Sequence, residues 1–388
     1  MRISLARRAA VVAVALVLNA TLSNAGFAAA FVPLGDLPGG EAFSWATGVS
    51  DDGRVVVGTA TTGARLQAFR WTSDTAMTGL GYLAGDDGSD AADVSADGRV
   101  IVGSSSRLGA FYRAFRWTPE GGMVSLGNAP VQFGPSATAV SATGNDIVGQ
   151  AAFLGPFGFR WTSDEGMVVL ASVGGQPIDS ATGISADGTV IVGNVAISGG
   201  LNLEAFRQTG GIVQMLGLLP GTYDSLATGV SADGNVVIGF SAGELAASQA
   251  FRWTSEEGMV GLGYFPEGGF SSIAMAASAD GSRIAGRHAD NSGYEAFLWT
   301  AEAGMERVMD LLVKQGATGL EGWRLTAVED ISGDGRWVVG NGVNPAGRTE
   351  AFLADLAPVP LPPTVWLLSA GLLSLIKPAC RRRTSPEH

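Results

Sequence analysis

Cysteine and histidine are almost absent from this sequence of 388 residues, which has one cysteine and two histidines. Cys380 lies close to the C-terminus, so an internal disulfide, a thiolate metal site and a cysteine nucleophile are excluded from the body of the chain. Of the histidines, His288 alone lies in the body, where we expect a solvated loop residue and not a triad base. A zinc site needs several such ligands close together. We therefore predict no catalytic residue, no metal-binding residue and no cofactor.

Positive charge is also scarce once the two ends are set aside. Seven of the 24 basic residues and one of the 36 acidic residues lie in residues 1–30 and 377–388, which leaves 17 basic against 35 acidic side chains between them. A body this acidic repels phosphate backbones. Nucleic-acid binding is therefore not expected.

Carboxylates are the one plentiful group with catalytic potential. Most of the aspartates recur at one spacing between β-branched runs, a pattern typical of hairpin turns and not of a catalytic centre. The strongest calcium candidate is the segment that contains Asp86, Asp87 and Asp90. It lacks the spacing and the bidentate Glu of an EF-hand loop, so a solvated acidic turn is expected there. Composition alone leaves acid–base catalysis by Asp or Glu open.

Glycine is abundant instead, with 57 residues, and it marks a repeat. The repeat reads V/I-S-x-D-G, then an apolar run that ends in Gly, then A-F-R-W-T, then G-M-x-x-L-G. It recurs at intervals of 44 to 54 residues. The glycines that end the apolar runs are Gly58, Gly103, Gly149, Gly193, Gly239, Gly286 and Gly340. The aromatic residues of the third landmark are Phe69, Phe115, Phe159, Phe206, Phe251, Phe297 and Phe352.

Each landmark predicts a strand or a turn. Asp-Gly between β-branched runs is a hairpin signal, continuous apolar triplets favour strands covered on both faces, and Phe-Arg-Trp-Thr is strand-like. A repeat of about 45 residues with four strands is typical of a propeller blade. The fold class is therefore predicted to be all-β, a seven-bladed β-propeller of four-stranded repeats over residues 31–357.

The two ends of the repeat array predict how the ring closes. The fourth landmark is missing after Phe352, but a further copy, Leu34-Gly35-Asp36-Leu37, precedes the first V-S-x-D-G. We expect this N-terminal segment to supply the outer strand of the last blade, which removes an exposed sheet edge. Residues 302–315 depart from the pattern and contain a helical stretch, which serves either as a binding surface or as a packed decoration.

The repeat resembles the HAF repeats of extracellular bacterial proteins, which run V-S-x-D-G, V-V-G, A-F-R-W and G-M-x-x-L-G. The resemblance covers residues 31–356, and the seventh unit resembles the atypical last repeat of that family. It implies an extracellular protein. The family carries no activity that can be assigned to particular positions of this chain.

Both ends of the chain are predicted to be removed. Residues 1–30 have a basic start, an apolar run and small residues that suit cleavage, which is the layout of a secretory signal peptide. Near the other end, the apolar residues 364–376 are too few to span a bilayer comfortably, and the basic residues that follow would halt export. This combination predicts a transient membrane tether that is later cut.

Residues 358–388 resemble a PEP-CTERM sorting signal in a variant that begins Val-Pro-Leu-Pro. The residues that carry the resemblance are Val359, Pro360, Leu361, Pro362, Arg381, Arg382 and Arg383. Leu361 stands where the name of the signal has Glu, and Lys377-Pro378 interrupts the apolar run. The resemblance implies a Gram-negative bacterium that makes exopolysaccharide, and an exosortase-like membrane enzyme as the partner that removes the tail.

These features predict an exported, non-enzymatic propeller of the cell surface or extracellular matrix, which binds exopolysaccharide or another surface component. The alternative is a carboxylate-based glycan hydrolase or lyase on the same scaffold. Acids that converge at one mouth of the central channel would favour the alternative.

Overall fold

The structure is a computed structural model that describes residues 30–356, except residues 41, 64, 108–110, 128–133, 153–155, 198–199, 201 and 245–246. The compact unit that holds them runs from Ala29 to Ala357. Its described regular structure consists of 28 β-strands and one short α-helix. Within these described ranges, no helix has the length and apolar character needed to cross a membrane.

Consecutive strands form antiparallel four-stranded sheets in which each strand pairs with the next along the chain. Sheet 1 contains β2 (Ser44–Val49), β3 (Val56–Thr62), β4 (Arg65–Thr72) and β5 (Ala76–Gly79). Sheet 2 contains β6 (Gly88–Val94), β7 (Ile101–Ser106), β8 (Arg113–Thr118) and β9 (Gly122–Ser125). Sheet 3 contains β10 (Ser136–Val140), β11 (Asp146–Ala152), β12 (Pro156–Thr162) and β13 (Gly166–Val169). Sheet 4 contains β14 (Ile178–Ile184), β15 (Val190–Ile197), β16 (Asn202–Thr209) and β17 (Ile212–Met215).

Sheets 5 and 6 are joined by one parallel pair, Ser248 with Ser271, and sheet 7 recruits a strand from the start of the chain. Sheet 5 contains β18 (Asp224–Val230), β19 (Val237–Ala242), β20 (Ser248–Thr254) and β21 (Gly258–Gly261). Sheet 6 contains β22 (Ser271–Ala277), β23 (Arg283–Asp290), β24 (Gly293–Thr300) and β25 (Gly304–Arg307). Sheet 7 contains β26 (Arg324–Ile331), β27 (Trp337–Val343), β28 (Thr349–Asp355) and β1 (Phe31–Pro33). The predicted all-β, propeller-like fold of four-stranded units is confirmed.

The V/I-S-x-D-G landmark forms the turn between the first and second strands of each sheet. In sheet 1, Ser50 Oγ donates to Asp52 Oδ1 at 2.7 Å and accepts from the N–H of Val55 at 3.0 Å. Gly53 has a φ of +69°, a left-handed conformation that glycine adopts without strain. The Ser of this landmark is buried in every sheet. The recurring aspartates are therefore turn residues, as their spacing predicts.

The other landmarks build the cores between sheets. The Phe of A-F-R-W-T is fully buried in all seven sheets. The Gly that ends each apolar run permits close packing of the first strand, because a Cβ on Gly58 would lie 2.0 Å from the carbonyl oxygen of Trp45. The same obstruction recurs at Gly103, where the oxygen belongs to Asp90. Glycine is thus required where the first two strands approach each other.

Hydrogen bonds between successive S-x-D-G turns join neighbouring sheets. Each turn donates a backbone N–H to the carbonyl of the next: Asp51 to Ala96 (3.0 Å), Ala96 to Ala142 (3.2 Å), Ala142 to Ala186 (3.1 Å), Ala186 to Ala232 (3.0 Å), Asp233 to Ala279 (3.3 Å) and Ala279 to Gly333 (2.8 Å). The N–H of Gly333 then donates to Asp51 Oδ1 at 3.0 Å. The turn of sheet 7 is therefore bonded to the turn of sheet 1.

Strand β1 pairs with β28, antiparallel, in the register Phe31 with Ala354 and Pro33 with Phe352. The residues after β1 pack between the first and last sheets, where Leu34 and Leu37 share one apolar core with Ala46 and other residues of both sheets. Strand β1 directly precedes Leu34-Gly35, and the fourth strand of sheet 4 likewise directly precedes Leu216-Gly217. Strand β1 therefore takes the position of a fourth strand in sheet 7.

The single described helix, α1 (Val308–Lys314), lies in the segment that departs from the repeat. Its residues Val308 and Leu312 are fully buried and share a core with Leu298 and Val328 of sheets 6 and 7. The sequence left open whether this segment forms a binding surface or packs against the sheets, and the helix packs against the sheets.

Candidate functional site

The first strand of every sheet carries a β-bulge at the same repeat position. A bulge leaves a residue without a direct partner and re-aims its side chain. The bulged residues are Thr47, Ala92, Thr138, Thr182, Thr228, Met275 and Glu329. All seven line one cavity of about 590 Å³, which we call the central cavity. Its lining residues all belong to strands, and in sheets 4, 5 and 6 they include the last residue before the S-x-D-G turn, namely Ile184, Val230 and Ala277.

Threonine at the bulge connects neighbouring sheets by a hydrogen bond. Its Oγ1 donates to a carbonyl of the next sheet in four cases: Thr47 to Ala91 (3.0 Å), Thr138 to Ala181 (2.7 Å), Thr182 to Ala227 (2.8 Å) and Thr228 to Ala274 (2.7 Å). Sheets 2 and 7 have Ala92 and Glu329 instead of threonine, and in both the next residue is an aspartate, Asp93 or Asp330. The regular repeat is thus interrupted twice by acids at the same place.

Four carboxyl groups line the central cavity: Asp90 and Asp93 from β6, and Glu329 and Asp330 from β26. Among the described residues that line it, none is basic. These acids were not singled out from the sequence, which predicted no catalytic residue. For Asp93, Glu329 and Asp330, the signal is their departure from the Thr-Gly pair that sheets 1, 4 and 5 carry at this position, whereas Asp90 lies two residues before it.

Asp93 and Asp330 are held in the same way. Asp93 accepts the N–H of Val94 on Oδ1 at 2.7 Å and the N–H of Val140, on sheet 3, on Oδ2 at 2.8 Å. Asp330 accepts the N–H of Ile331 and the N–H of Val49, which lies on sheet 1, each at 2.8 Å. Each carboxyl is therefore fixed in orientation, while each oxygen keeps a second lone pair for a ligand or a proton.

Burial dominates the ionisation of these acids. It raises the pKa of Asp93 to about 6, although the N–H groups of Val140 and Val94 act in the opposite direction. Burial, together with the negative charge of Asp93, raises the pKa of Asp330 well above its ordinary value. Burial also raises the pKa of Glu329 and of Asp90. Two carboxyls whose environments separate their pKa values can divide the roles of proton donor and proton acceptor.

Glu329 is oriented from the neighbouring strand. Asn341 Nδ2 donates to Glu329 Oε1 at 3.1 Å, and Asn341 Oδ1 accepts the N–H of Ala46, on sheet 1, at 2.9 Å. The positive charge of Arg287 partly offsets the effect of burial on the pKa of Glu329. Asn341 thus connects the cavity acid to the contact between the last and first sheets.

His288 is not the solvated loop residue that the sequence predicted. It lies in β23, fully buried, with its ring centroid 4.3 Å from that of Phe265. Burial lowers the pKa of His288, opposed by the negative charges of Asp290 and Glu295 and by a backbone group of Gly268, and assisted by the positive charge of Arg307. The error arose because β23 continues to Asp290 and reverses within two residues, so the histidine belongs to the strand.

We expect His288 to make the protein less stable as the pH falls. The unfolded chain binds a proton near the ordinary pKa of 6.5, whereas the folded chain resists it, so folding stability is lost as the pH falls through that value. His288→Phe should flatten the dependence of Tm on pH between about 7 and 5, because the aromatic packing is kept and the titration is removed. Thermal unfolding across this range checks the prediction. Equal slopes for the two proteins would contradict it.

The calcium candidate does not form one site. Asp86 pairs with Arg113 at 2.7 Å and Asp87 with Arg65 at 2.8 Å, while Asp90 lines the central cavity. Over the described ranges, no group of three or more His, Cys, Asp and Glu side chains is arranged to hold a metal ion. The expectation of no cofactor, with an acidic turn instead of a calcium site at these residues, stays a prediction.

The residues predicted for sorting lie outside the described residues. They are Val359, Pro360, Leu361, Pro362, Arg381, Arg382 and Arg383, and the predicted signal peptide over residues 1–30 lies outside as well, apart from its last residue.

No protein-family model and no curated protein matches the chain. Among solved structures, it is similar to an oligogalacturonate lyase from Vibrio parahaemolyticus, with 11% identity and a TM-score of 0.54, over 84% of this chain and 93% of that one. It is also similar to an oligogalacturonate lyase in complex with manganese, with 14% identity and a TM-score of 0.53, over 82% and 89% of the two chains. TolB from Acinetobacter baumannii has 15% identity and a TM-score of 0.43, over 75% and 76%.

These likenesses, at low identity, concern the fold, and together with the central cavity they correct one expectation. The expected non-enzymatic binding protein is wrong, because two of the structures with TM-scores above 0.5 are lyases and four acids converge in one cavity. The findings favour the alternative instead, a carboxylate-based glycan hydrolase or lyase on a propeller scaffold.

Proposed function

We propose that the chain is a glycan-cleaving enzyme whose active site is the central cavity. The observation that carries the proposal is the convergence of Asp90, Asp93, Glu329 and Asp330 on one cavity with raised pKa values. Carboxyl pairs of this kind perform the acid–base chemistry of glycan cleavage. The likeness to oligogalacturonate lyases supports a fold on which such chemistry occurs.

In the proposed mechanism, Asp330 donates a proton and Asp93 accepts one. Asp330 is assigned the role of donor because burial and the negative charge of Asp93 raise its pKa well above the ordinary value, and it protonates the glycosidic oxygen as the C–O bond breaks. Asp93, with a pKa of about 6, is largely ionised at pH 7 and removes a proton from water or from the sugar. The structure of the similar lyase named above contains manganese. The described residues of this chain do not form a metal site, so the proposed mechanism uses no metal ion.

We further propose that the seven sheets are seven blades of a closed ring, with β1 completing the last blade. The bonds from Gly333 to Asp51 and from Val49 to Asp330, together with the β1–β28 pairing, support this closure. Closure matters for function, because it brings the acids of sheets 2 and 7 to opposite sides of sheet 1.

We also propose that the protein is an HAF-repeat protein exported through the inner membrane, and that an exosortase-like enzyme removes a tail with Arg381, Arg382 and Arg383. The basic start, the apolar runs and the arginine cluster at the C-terminus support this. Intact mass and N-terminal sequencing of protein recovered outside the inner membrane should show loss of both ends. Recovery of the full-length chain in the cytoplasm would contradict it.

The catalytic proposal is tested by incubating purified residues 30–357 with a panel of neutral and uronate-containing polysaccharides. New reducing ends report cleavage by either route, and ultraviolet absorbance of an unsaturated product reports elimination alone. We expect cleavage of at least one polymer, and its loss in Asp330→Asn. Absence of cleavage across the panel at pH 4 to 8 would contradict the proposal.

A further inference from the structure

A second cavity lies beside the central cavity, between sheets 2 and 3. It has a volume of about 440 Å³, and we call it the side cavity. Its described lining residues are Asp90, Ser104, Tyr112, Gly134, Ser136, Gln150, Ala151 and Pro156. Asp90 and Ser136 line both cavities, so the two are immediate neighbours.

The side cavity lies at the loop end of the sheets, opposite the bonded turns. In each sheet, the hairpin between the second and third strands and the connection to the next sheet lie at this end. Among the described residues, every exposed aromatic side chain lies here: Phe111, Tyr112, Tyr223, Phe270 and Tyr294. The opposite end holds the chain of hydrogen-bonded turns. A ligand in the side cavity would therefore lie at the loop end, beside Asp90.

Tyr112 marks the outer end of the side cavity. Its side chain is exposed, in the residues just before β8, and an exposed aromatic ring offers an apolar face to the C–H face of a sugar. Ser104, Ser136 and Gln150 supply hydroxyl and amide groups that exchange hydrogen bonds with sugar hydroxyls. The side cavity thus combines an aromatic ring and uncharged polar groups with the acid Asp90.

The charge of the two cavities selects against anionic sugars. None of the described residues that line either cavity is basic, whereas Asp90, Asp93, Glu329 and Asp330 supply negative charge, and Arg287, which acts on Glu329, lies outside both linings. A uronate placed here would lose water and find no basic residue in the described lining to pair with, which is costly for a buried charge. Oligogalacturonate, which names the structurally similar lyases, is a polyanion. We therefore do not infer the same substrate from the similar fold.

We propose that the side cavity is a subsite for neutral sugars, through which a neutral glycan chain enters the central cavity and is hydrolysed. This inference rests on the proposed glycan cleavage. Elimination needs a uronate carboxyl beside the C–H that is deprotonated, and a neutral sugar lacks it. In hydrolysis, the anomeric C–O bond breaks, Asp330 gives its proton to the departing oxygen, water forms the new C–O bond, and Asp93 takes the proton of that water.

The test compares Tyr112→Ala with Tyr294→Ala, because both tyrosines are 53% exposed and Tyr294 lines neither cavity. On neutral polysaccharides, Tyr112→Ala should raise KM about tenfold with kcat nearly unchanged, since tenfold corresponds to about 1.4 kcal/mol, the upper end of what an aromatic contact contributes. Tyr112→Trp should retain the wild-type KM, and Tyr294→Ala should leave it unchanged. Equal effects of the two alanine variants, or preferential cleavage of polygalacturonate, would overturn the subsite.

Affinity electrophoresis in gels that contain neutral polysaccharide separates failure of the subsite from failure of catalysis. The Asp330→Asn protein should be retarded, and the Asp330→Asn, Tyr112→Ala double variant should migrate freely. Retardation that depends on Tyr112, without any cleavage, would contradict the proposed enzyme activity and support the subsite. Cleavage that is unaffected by Tyr112→Ala would contradict the subsite and support the enzyme activity.

Discussion

Asp330→Asn is expected to lower the rate of glycan cleavage by roughly 10²- to 10⁴-fold, the usual contribution of a general acid or base. The amide oxygen can still accept one of the two N–H groups that the carboxyl accepts, from Val49 or from Ile331, so the strand stays in place. What is lost is the proton that leaves with the glycosidic oxygen. Asp93→Asn should cause a loss of similar size, because the acceptor is removed instead.

The pH dependence of the two variants should distinguish their roles. In the wild type, the rate falls as the pH drops below about 6, because Asp93 must be ionised, and it falls again as the pH rises through the raised pKa of Asp330. Asp330→Asn should remove the alkaline decline from the residual activity, and Asp93→Asn the acid decline. A residual rate with the wild-type profile in both variants would contradict the assignment.

Stability gives an independent signature of the same two acids. Their folded-state pKa values lie above the ordinary value of 3.8, so each costs folding stability as the pH rises from that value through the folded pKa. An amide avoids this cost. We therefore expect both variants to keep or gain Tm at pH 7 while they lose activity, as happens when a strained site is relieved.

Asp187→Asn is the matched control. Asp187 is the turn aspartate of sheet 4, where it accepts Ser185 Oγ at 2.7 Å and the N–H of Thr189 at 3.0 Å, and it is absent from the cavity linings. The same chemical change should here lower Tm and leave the rate unchanged. A comparable loss of rate in this control would show that the cavity variants act through the scaffold.

The repeat predicts the scaffold far better than the site. Every landmark reflects a local requirement, such as the Phe that fills each core or the Gly that leaves room for a carbonyl oxygen of the neighbouring strand. One sequence is therefore enough to place the strands and turns. Asp93 and Asp330 lie far apart in the chain and meet only because the sheets surround one cavity. Neither belongs to the periodic turn aspartates, and neither was singled out from the sequence. The useful signal lies where the repeat is interrupted, at positions that hold threonine and glycine in sheets 1, 4 and 5.

Removal of residues 30–40 should have the largest effect on stability. The deletion exposes the edge of β28 and removes Phe31, Leu34 and Leu37, all buried. Large buried side chains are each worth about 2 to 5 kcal/mol, so the loss approaches the whole stability of a typical domain, about 5 to 15 kcal/mol. We expect a Tm lower by more than 10 °C, and rapid hydrogen exchange in β28.

The same deletion should loosen sheet 1, because the removed segment bridges the two ends of the array. Ser44 Oγ, on β2, donates to the carbonyl of Gly35 at 2.7 Å and accepts the N–H of Ala351, on β28, at 3.1 Å. A peptide of residues 30–40 added in trans should restore the Tm and the protection of β2 and β28 together, since it binds the folded state alone. Pro33→Ala, an exposed change in the same strand, should leave both nearly unchanged. In an open array, rapid exchange would be confined to sheet 7, and sheet 1 would keep its protection after the deletion.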